Sequence, residues 1–376
     1  MARKTVERNI SYDEGRKLYY VNMDLGRDEN GKRVKQYRTF STIAQARTAL
    51  REFRLQREQY QRVHQHSMTL GQWLKYWMET VIRPNRAPTT AYGYQKIIDN
   101  HIEPCLGNIP LAKLEPRQIQ QYYARMGQEG LAQVTIRRHH DLLACSLRMA
   151  VKQDMLAVSP TDRVEAPRPK PKEAQFYNVD ELRRLYSAVE GHWLELTVKL
   201  AAGLGLRREE LCGLRWESVD FYQRTIRIKE ARTAYGANIV QKETKNRSSV
   251  RTLYMPDELY HLLRWEKQRQ QGGRVQQGGE YAASGYVILD HMGQPFSPNA
   301  LSLAFTRFIR RKGLPALTLH GLRHSFATVA SMQGANLFAI GKALGHSTPS
   351  VTGRIYTHLV DSTHTETLRR VSEALK

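Results

Sequence analysis

The stretch G-L-R-R-E-E-L-C-G-L-R-W-E-S-V-D, residues 205–220, predicts a helix that begins near Arg208, with Arg207 at its start. Two helices are predicted before it, at 179–189 and 192–204. Short strands are predicted after it, at 225–229, about 238–244 and 249–253. Beyond Pro256 the pattern predicts helix to the end of the chain, broken by a glycine-rich loop at 272–279. The predicted fold class is mainly α with small β-sheets (α+β).

Residues 159–173 mark the clearest boundary upstream of this region. They contain four prolines and several charges, a composition that favours an extended linker over a packed core. The linker predicts a separate C-terminal domain at 174–376.

Residues 67–158 show helical periodicity. Thr69 is predicted to cap a helix whose apolar stripe includes Trp73 and Trp77, and further helices are expected from Pro88, from Glu115-Pro116 and over 132–155. We favour a core role for the two tryptophans over a stacking platform. The basic cluster Arg137–His140 fits either a solvated face or a phosphate-contacting face, and its paired histidines lack metal-ligand spacing.

Residues 1–66 predict a small sheet followed by a helix. Apolar residues alternate over 19–25, a turn signal follows at 28–31, and a basic alternating stretch covers 32–40. Ser41 or Thr42 can cap a helix that runs to about Val63. The basic strand is equally consistent with entry into a DNA major groove and with an ordinary solvent-facing strand.

The charge of the chain favours a polyanionic partner. The 376 residues carry a net charge of +22, and each of the segments 1–66, 67–172 and 173–376 has an excess of basic residues. A partner that touches every domain is most simply a nucleic acid, with DNA preferred over RNA.

Neither a membrane segment nor a metal framework is predicted. No run of about 18 apolar residues occurs, and the basic N-terminus lacks the apolar core of a secretory signal. Cys105, Cys145 and Cys212 lie far apart without metal spacing, which suggests a reducing cytoplasm.

Five short signals in the C-terminal domain carry residues suited to phosphate chemistry. In chain order, G-L-R-R-E-E-L presents Arg207, and the polar turn E-T-K-N-R-S-S-V-R presents Lys245. H-G-L-R-H presents His320 and Arg323, L-G-H-S presents His346, and R-I-Y-T-H presents Tyr356. His320 and Arg323 are one helical turn apart and therefore on one face.

The chemistry of these residue types is complementary to a phosphodiester. Two guanidinium groups can hold the non-bridging oxygens with forked hydrogen bonds and stabilise the charge of a phosphorane transition state. A tyrosine oxygen can attack the phosphorus covalently. A lysine can protonate the leaving 5′ oxygen, and His320 can either take the tyrosine proton or hydrogen-bond the phosphate.

Each signal by itself is weak. H-x-x-R occurs by chance in many basic chains, Arg207 beside Arg208 fits a solvated helix start, and Lys245 fits an ordinary charged turn. His346 fits a capping or core residue, and Tyr356 is one of 19 tyrosines. Their order within a basic protein makes the set informative.

Taken together, these motifs make residues 174–376 resemble the catalytic domain of the tyrosine recombinases, also called phage-type integrases. The family's first arginine box is similar to G-L-R-R-E-E-L with C-G-L-R-W-E-S-V-D. Its H-x-x-R box is similar to H-G-L-R-H-S-F-A-T. Its histidine-to-tyrosine segment is similar to L-G-H-S-T-P-S-V-T-G-R-I-Y-T-H. The resemblance implies that Arg207, Lys245, His320, Arg323 and His346 surround the scissile phosphate and that Tyr356 attacks it. Lys242 is the alternative to Lys245, and Glu210 matches a family acid that we interpret as structural.

The resemblance extends upstream and implies a three-domain architecture. Residues 67–158 resemble the helical core-binding domain, and residues 1–66 resemble the arm-binding domain of integrases from phages and Gram-positive conjugative transposons. By this similarity the chain integrates and excises a mobile element or prophage through a 3′-phosphotyrosine, without metal, ATP or other cofactor. The expected partners are double-stranded DNA attachment sites, a homotetramer on DNA, an excision factor and a host DNA-bending protein, at the bacterial nucleoid and with no membrane. The tail 362–376 is expected to pack either on a neighbouring protomer or on its own domain.

Two rival functions remain on sequence grounds. A DNA-binding regulator could retain the fold without catalytic activity. The presence of all six candidate residues argues against this, because a protein that had lost activity should also have lost at least one of them. A monomeric nicking-closing enzyme similar to a type IB topoisomerase uses a similar set of residues but needs no arm-binding domain.

Overall fold

The computed structural model describes residues 3–27, 33–64, 68–170, 174–243, 250–277, 281–282 and 284–345. These residues form two compact units, divided between Lys170 and Pro171. The mainly helical class with small antiparallel sheets, predicted from the sequence, is confirmed.

The first unit begins with a four-stranded antiparallel sheet in the order β1-β2-β3-β4. Its strands are β1 (Lys4–Glu7), β2 (Ile10–Asp13), β3 (Leu18–Arg27) and β4 (Arg33–Phe40), and the helix α1 (Ile43–His64) follows. The Thr42 hydroxyl accepts a hydrogen bond from the Gln45 amide at the start of α1, as expected for a capping residue. Val21 and Met23 of β3 are buried against Ala46 and Leu50 of α1, so one face of the sheet is covered by this helix.

A helical array follows in the same unit. It consists of α2 (Leu70–Trp77), α3 (Arg83–Asn85), α4 (Pro88–Ile97), α5 (Glu103–Leu106), α6 (Pro116–Gln128) and α7 (Gln133–Lys152). Thr69 forms a reciprocal capping box with Gln72, as its position predicts. Trp73 and Trp77 are buried in the helical core, which confirms that they are core residues.

Two π-helical turns join the first helices of this array. Met78–Ile82 links α2 to α3, and Ile98–Ile102 links α4 to α5. The second π turn continues α4 directly into α5, so helical backbone is unbroken from Pro88 to Leu106. Ile82, Ile98 and Ile102 are buried in the helical core, so both π turns contribute apolar side chains to it.

The basic cluster in α7 divides between core and surface. His139 and His140 are buried, and their Nδ1 atoms hydrogen-bond the hydroxyls of Tyr122 (2.7 Å) and Tyr123 (3.1 Å) in α6. Burial, followed by the charge of His101, lowers the pKa of His139 to about 4, so this imidazole is neutral at pH 7. The two histidines therefore join helices, and only the arginines of the cluster remain for a surface role.

The proline-rich segment after α7 is not extended throughout. Pro160–Arg163 forms a 3-10 turn, and Pro160 and Thr161 are buried. Asp162 receives hydrogen bonds from Arg148 of α7, and the Glu165 amide donates to Gln120 of α6. The first half of 159–173 is therefore packed on the helical array, because its polar groups find partners there that the composition does not reveal.

The second unit is built from helices around small sheets. The helices are α8 (Val179–Val189), α9 (Glu195–Leu204), α10 (Arg208–Gly213), α11 (Asp257–Gln277), α12 (Pro298–Arg311), α13 (Leu319–Met332) and α14 (Leu337–Leu344). The strands β5 (Val219–Asp220), β6 (Thr225–Ile228) and β9 (Arg251–Tyr254) form one antiparallel sheet, and β7 (Glu230–Tyr235) pairs with β8 (Asn238–Glu243) in a hairpin. α9 lies at the centre, since Leu200 and Ala201 are fully buried in the main core.

Two details of this unit differ from the sequence prediction. α11 runs through Gly272 and Gly273 to Gln277, where a loop was expected, because a long helix tolerates glycine at a modest cost. The described residues between 281 and 297 contain no helix, although helix was predicted there. Isolated bridges Arg215–Tyr286 and Leu289–Pro295 hold this stretch.

No described helix is both long enough and apolar enough to cross a membrane.

Candidate active site

Arg207 is positioned by a sharp turn between α9 and α10. α9 ends at Gly205, whose φ of 65° lies in the left-handed region that glycine adopts without strain. A Cβ at this position would come within 2.6 Å of Leu344 Cδ2 and 2.8 Å of Phe326 Cδ1. The turn therefore requires glycine at position 205 for two reasons, the positive φ and the close contacts with neighbouring side chains. It places Arg207 at the N-cap of α10.

Glu210 is a buried carboxylate shared by two arginines. Only 2% of this residue is exposed. Its Oε1 accepts from Arg207 Nη1 (2.8 Å), and its Oε2 accepts from the Arg207 amide (2.8 Å). Arg251 of β9 donates Nη1 to Oε1 (3.0 Å) and Nη2 to Oε2 (2.8 Å). Burial raises the pKa of Glu210, but the hydrogen bonds and charges of Arg251 and Arg207 hold it below its usual value, so the group is an anion.

Three arginines converge on the C-terminal end of α14. Arg251 Nε donates to the carbonyl of Ala343 (2.6 Å), Arg323 Nη2 to that of Leu344 (2.6 Å), and Arg207 Nη2 to that of Gly345 (3.2 Å). The last carbonyls of a helix lack intrahelical partners and carry the negative end of its dipole. The end of α14 thus collects positive charge immediately before residue 346.

Arg323 is held more rigidly than Arg207. It lies on α13, is only 2% exposed, and also donates Nη1 to the carbonyl of Gly205 (2.7 Å). The side chain of Arg207 is 31% exposed. The fold therefore brings both predicted arginines to the carbonyls of two consecutive residues, Leu344 and Gly345. Arg323 is buried, and Arg207 is partly exposed to solvent.

His320 lies one helical turn before Arg323 on α13. Partial burial of its ring lowers the pKa of His320. The positive charges of Arg323, Arg207 and Arg208 lower this pKa further, and the charge of Glu209 raises it. Its ring contacts the ring of His324 edge-on, with 4.8 Å between centroids. At pH 7 His320 is therefore mainly neutral, as a proton acceptor must be.

An open cleft of about 430 Å³ lies beside these residues. Its lining includes Arg208 and Glu209 of α10, Thr318 and His320 at the start of α13, and Ser302 and Thr306 of α12. Arg208 pairs with Glu209 (2.7 Å) and donates to the Ser302 hydroxyl (3.3 Å), so the polar groups that line the cleft bond one another.

Three of the predicted site residues lie outside the described part of the chain. These are Lys245, His346 and Tyr356. Lys242, the alternative lysine, lies in β8, where it pairs with Ala231 of β7.

Sequence reasoning missed Arg251. Its only signal is an arginine in the short strand R-T-L-Y, two residues before Leu253 and therefore on the same face of the strand. A buried arginine needs an anionic partner, but the sequence does not indicate which carboxylate supplies it.

Among the described residues, no group of three or more His, Cys, Asp or Glu side chains is placed to hold a metal ion.

Comparison with known proteins finds a family match in each of the two units. Residues 175–363 match the phage integrase family, and residues 69–127 match its N-terminal SAM-like domain. A curated relative, the tyrosine recombinase XerC-like protein of Caldanaerobacter subterraneus subsp. tengcongensis, is 28% identical over 96% of this chain and 97% of its own length.

Two solved structures share the fold. The integrase of the transposon Tn1549, in complex with transposon right end DNA, aligns with a TM-score of 0.70 and 23% identity over 80% of this chain and 99% of that chain. A lambda integrase tetramer bound to a Holliday junction aligns with a TM-score of 0.56 and 19% identity, over 92% of this chain and 97% of that chain.

The family match spans half of the chain and contains both arginines that meet at the end of α14. This protein therefore belongs to the phage integrase family and is a tyrosine recombinase, a site-specific DNA strand transferase.

Proposed function

We propose that Tyr356 is the nucleophile and that Arg207, Lys245, His320, Arg323 and His346 bind and activate the scissile phosphate. The Tyr356 oxygen bonds to phosphorus while the bond from phosphorus to the 5′ oxygen breaks. Lys245 protonates the departing 5′ oxygen, and His320 accepts the tyrosine proton. The 5′ hydroxyl of a partner strand then attacks the phosphotyrosine and gives its proton to Lys245. The bond from phosphorus to the Tyr356 oxygen breaks, His320 returns its proton to Tyr356, and a phosphodiester is restored.

The observation that supports this assignment most directly is the meeting of Arg207 and Arg323 at the end of α14. Their guanidinium groups donate to the neighbouring carbonyls of Leu344 and Gly345. A non-bridging phosphate oxygen is a stronger acceptor than a carbonyl and carries charge. The longer, more exposed contact from Arg207 to Gly345 is the one that a bound phosphate would replace.

Domain roles and partners follow from the same proposal. Residues 1–66 bind arm-type DNA, residues 67–158 bind the core site, residues 159–173 link them to the catalytic domain, and residues 174–376 carry out catalysis. The substrate is double-stranded attachment-site DNA of a mobile element or prophage, held by a homotetramer in the bacterial cytoplasm at the nucleoid. An excision factor and a host DNA-bending protein act as accessory partners, and residues 362–376 join neighbouring protomers.

The test is cleavage of a nicked attachment-site duplex that loses its 5′ hydroxyl fragment after the first step. We expect a covalent protein–DNA adduct whose modified peptide contains Tyr356, followed by strand transfer when a second duplex is added. If no adduct forms, the protein would be a DNA-binding regulator without cleavage activity. An adduct that reseals only its own duplex would indicate a nicking-closing enzyme.

The pH dependence of cleavage distinguishes the two roles of His320. The pKa of His320 in the folded protein lies below the ordinary value of about 6.5. The neutral imidazole therefore remains the main form down to about pH 6.5, and the cleavage rate should fall only in more acid solution. His320→Gln keeps a hydrogen-bond donor but cannot accept a proton, so we expect cleavage to slow about 100-fold and the acid decline to disappear. Nearly full activity in His320→Gln would instead assign the residue to hydrogen bonding with the phosphate.

A further inference from the structure

We propose that Arg251 is a positioning residue for strand cleavage: it orients Arg207 through the shared carboxylate of Glu210 and orients the end of α14 through the carbonyl of Ala343. This inference rests on the proposed function, because it supposes that Arg207 and the residue after Gly345 act on the phosphate.

The contacts of Arg251 place it behind the site, away from the substrate side. Its side chain is 5% exposed, whereas the side chain of Arg207 is 31% exposed. Glu210 lies between them and accepts donors from both. Arg207 is therefore accessible to a phosphate, whereas Arg251 is buried on the far side of Glu210 from it.

The shared carboxylate fixes the direction of the Arg207 guanidinium. Arg251 occupies both Glu210 oxygens with a planar fork and so prevents rotation of the carboxylate. Arg207 then donates Nη1 to an acceptor that cannot move. A guanidinium held in this way loses little further freedom when it binds a phosphate.

The third donor of Arg251 acts on a second part of the site. Its Nε binds the Ala343 carbonyl in the last turn of α14. This turn ends at Gly345, and His346 is the next residue in the chain. One side chain thus connects the strand β9, the start of α10 and the end of α14.

The alternative is that Arg251 only stabilises the fold. Removing one partner of a buried ion pair leaves an uncompensated charge and is destabilising. A useful variant must therefore keep the charge and remove only the fork. Arg251→Lys does so, because a single ammonium group cannot donate in plane to both Glu210 oxygens and to Ala343.

The experiment measures binding and chemistry separately on the full-length protein. DNA affinity is measured by titration, and the first-order cleavage rate constant is measured at saturating protein on the nicked attachment-site duplex. For Arg251→Lys we expect cleavage about 10- to 100-fold slower than wild type, the range expected when a reactive geometry shifts by a fraction of an ångström to one ångström. The dissociation constant should change less than about threefold, since no phosphate contact is lost.

Arg269→Lys is the matched control. Arg269 also donates two guanidinium nitrogens to one carboxylate in the same unit, with Nε and Nη2 bonded to the two oxygens of Glu266 at 2.8 and 2.7 Å. Its side chain is 42% exposed, so the variant measures the loss of a two-donor ion pair away from the site. We expect this variant to cleave within about threefold of wild type. Glu210→Gln should slow cleavage as Arg251→Lys does, and the double variant should lose much less than the product of the two, because both substitutions break one chain of contacts.

The outcomes separate this inference from the proposed function. If wild type forms no adduct, the proposed function fails. If wild type forms the adduct and Arg251→Lys cleaves within threefold of it, the positioning role is wrong. Slow cleavage accompanied by partial unfolding at the assay temperature, seen by circular dichroism, or by an equal loss in Arg269→Lys, would also overturn it in favour of a purely structural role.

Discussion

The Tyr356→Phe variant is expected to bind attachment-site DNA with wild-type affinity and to form no covalent adduct. Phenylalanine retains the ring but lacks the oxygen that bonds to phosphorus, so the first transesterification has no nucleophile. Denaturing gel electrophoresis of the nicked-duplex reaction measures this directly, and the loss should be complete within detection.

The control for this variant is Tyr222→Phe. Tyr222 is 92% exposed in the second unit, and its hydroxyl has no place in the proposed chemistry. We expect a normal adduct from this protein. An adduct that persists in Tyr356→Phe would show that another side chain attacks the phosphate.

The Arg207→Ala variant is expected to fold and to bind DNA, yet to cleave at least about 100- to 1,000-fold more slowly, the usual cost of losing one donor to developing negative charge. Folding should survive because Glu210 keeps both hydrogen bonds from Arg251. Binding should lose at most one of many phosphate contacts, which reduces the salt dependence of affinity by about one counterion.

Arg208→Ala is the neighbouring control for Arg207→Ala. Arg208 pairs with Glu209 and donates to Ser302 and Asn299, so its guanidinium is directed toward α12 and not toward the end of α14. We expect cleavage within about tenfold of wild type. Equal losses in the two variants would mean that overall charge, and not the position of Arg207, controls the reaction.

Local signals were sufficient where the structure depends on neighbouring residues. The capping box of Thr69, the helix from Val179, and the burial of Trp73 and Trp77 follow from short-range periodicity and hydrogen bonding. The same reasoning failed at Gly272 and Gly273, because the helical residues around them outweigh the cost of two glycines. It also missed β7, whose polar residues have no strand pattern of their own and are held by pairing with β8.

The motifs predicted a set of six site residues, because their residue types suit a phosphate and their order resembles a known family: Arg207, Lys245, His320, Arg323, His346 and Tyr356. They did not reveal how the set is held. The contact between Arg251 and Glu210 joins residues 41 apart in the chain, that between Arg323 and Gly205 joins residues 118 apart, and that between Arg207 and Gly345 joins residues 138 apart.

The sequence by itself thus determined the helical class, the bounds of elements such as α8 and β6, the family and the candidate chemical groups, since these depend on residue type and on spacing within one or two helical turns. Only the tertiary structure decided that the end of α14 is surrounded by three guanidinium groups and that Glu210 is shared between Arg207 and Arg251. Such contacts depend on which buried charges meet when distant segments pack, and a buried charge is stable only where that packing brings its partner.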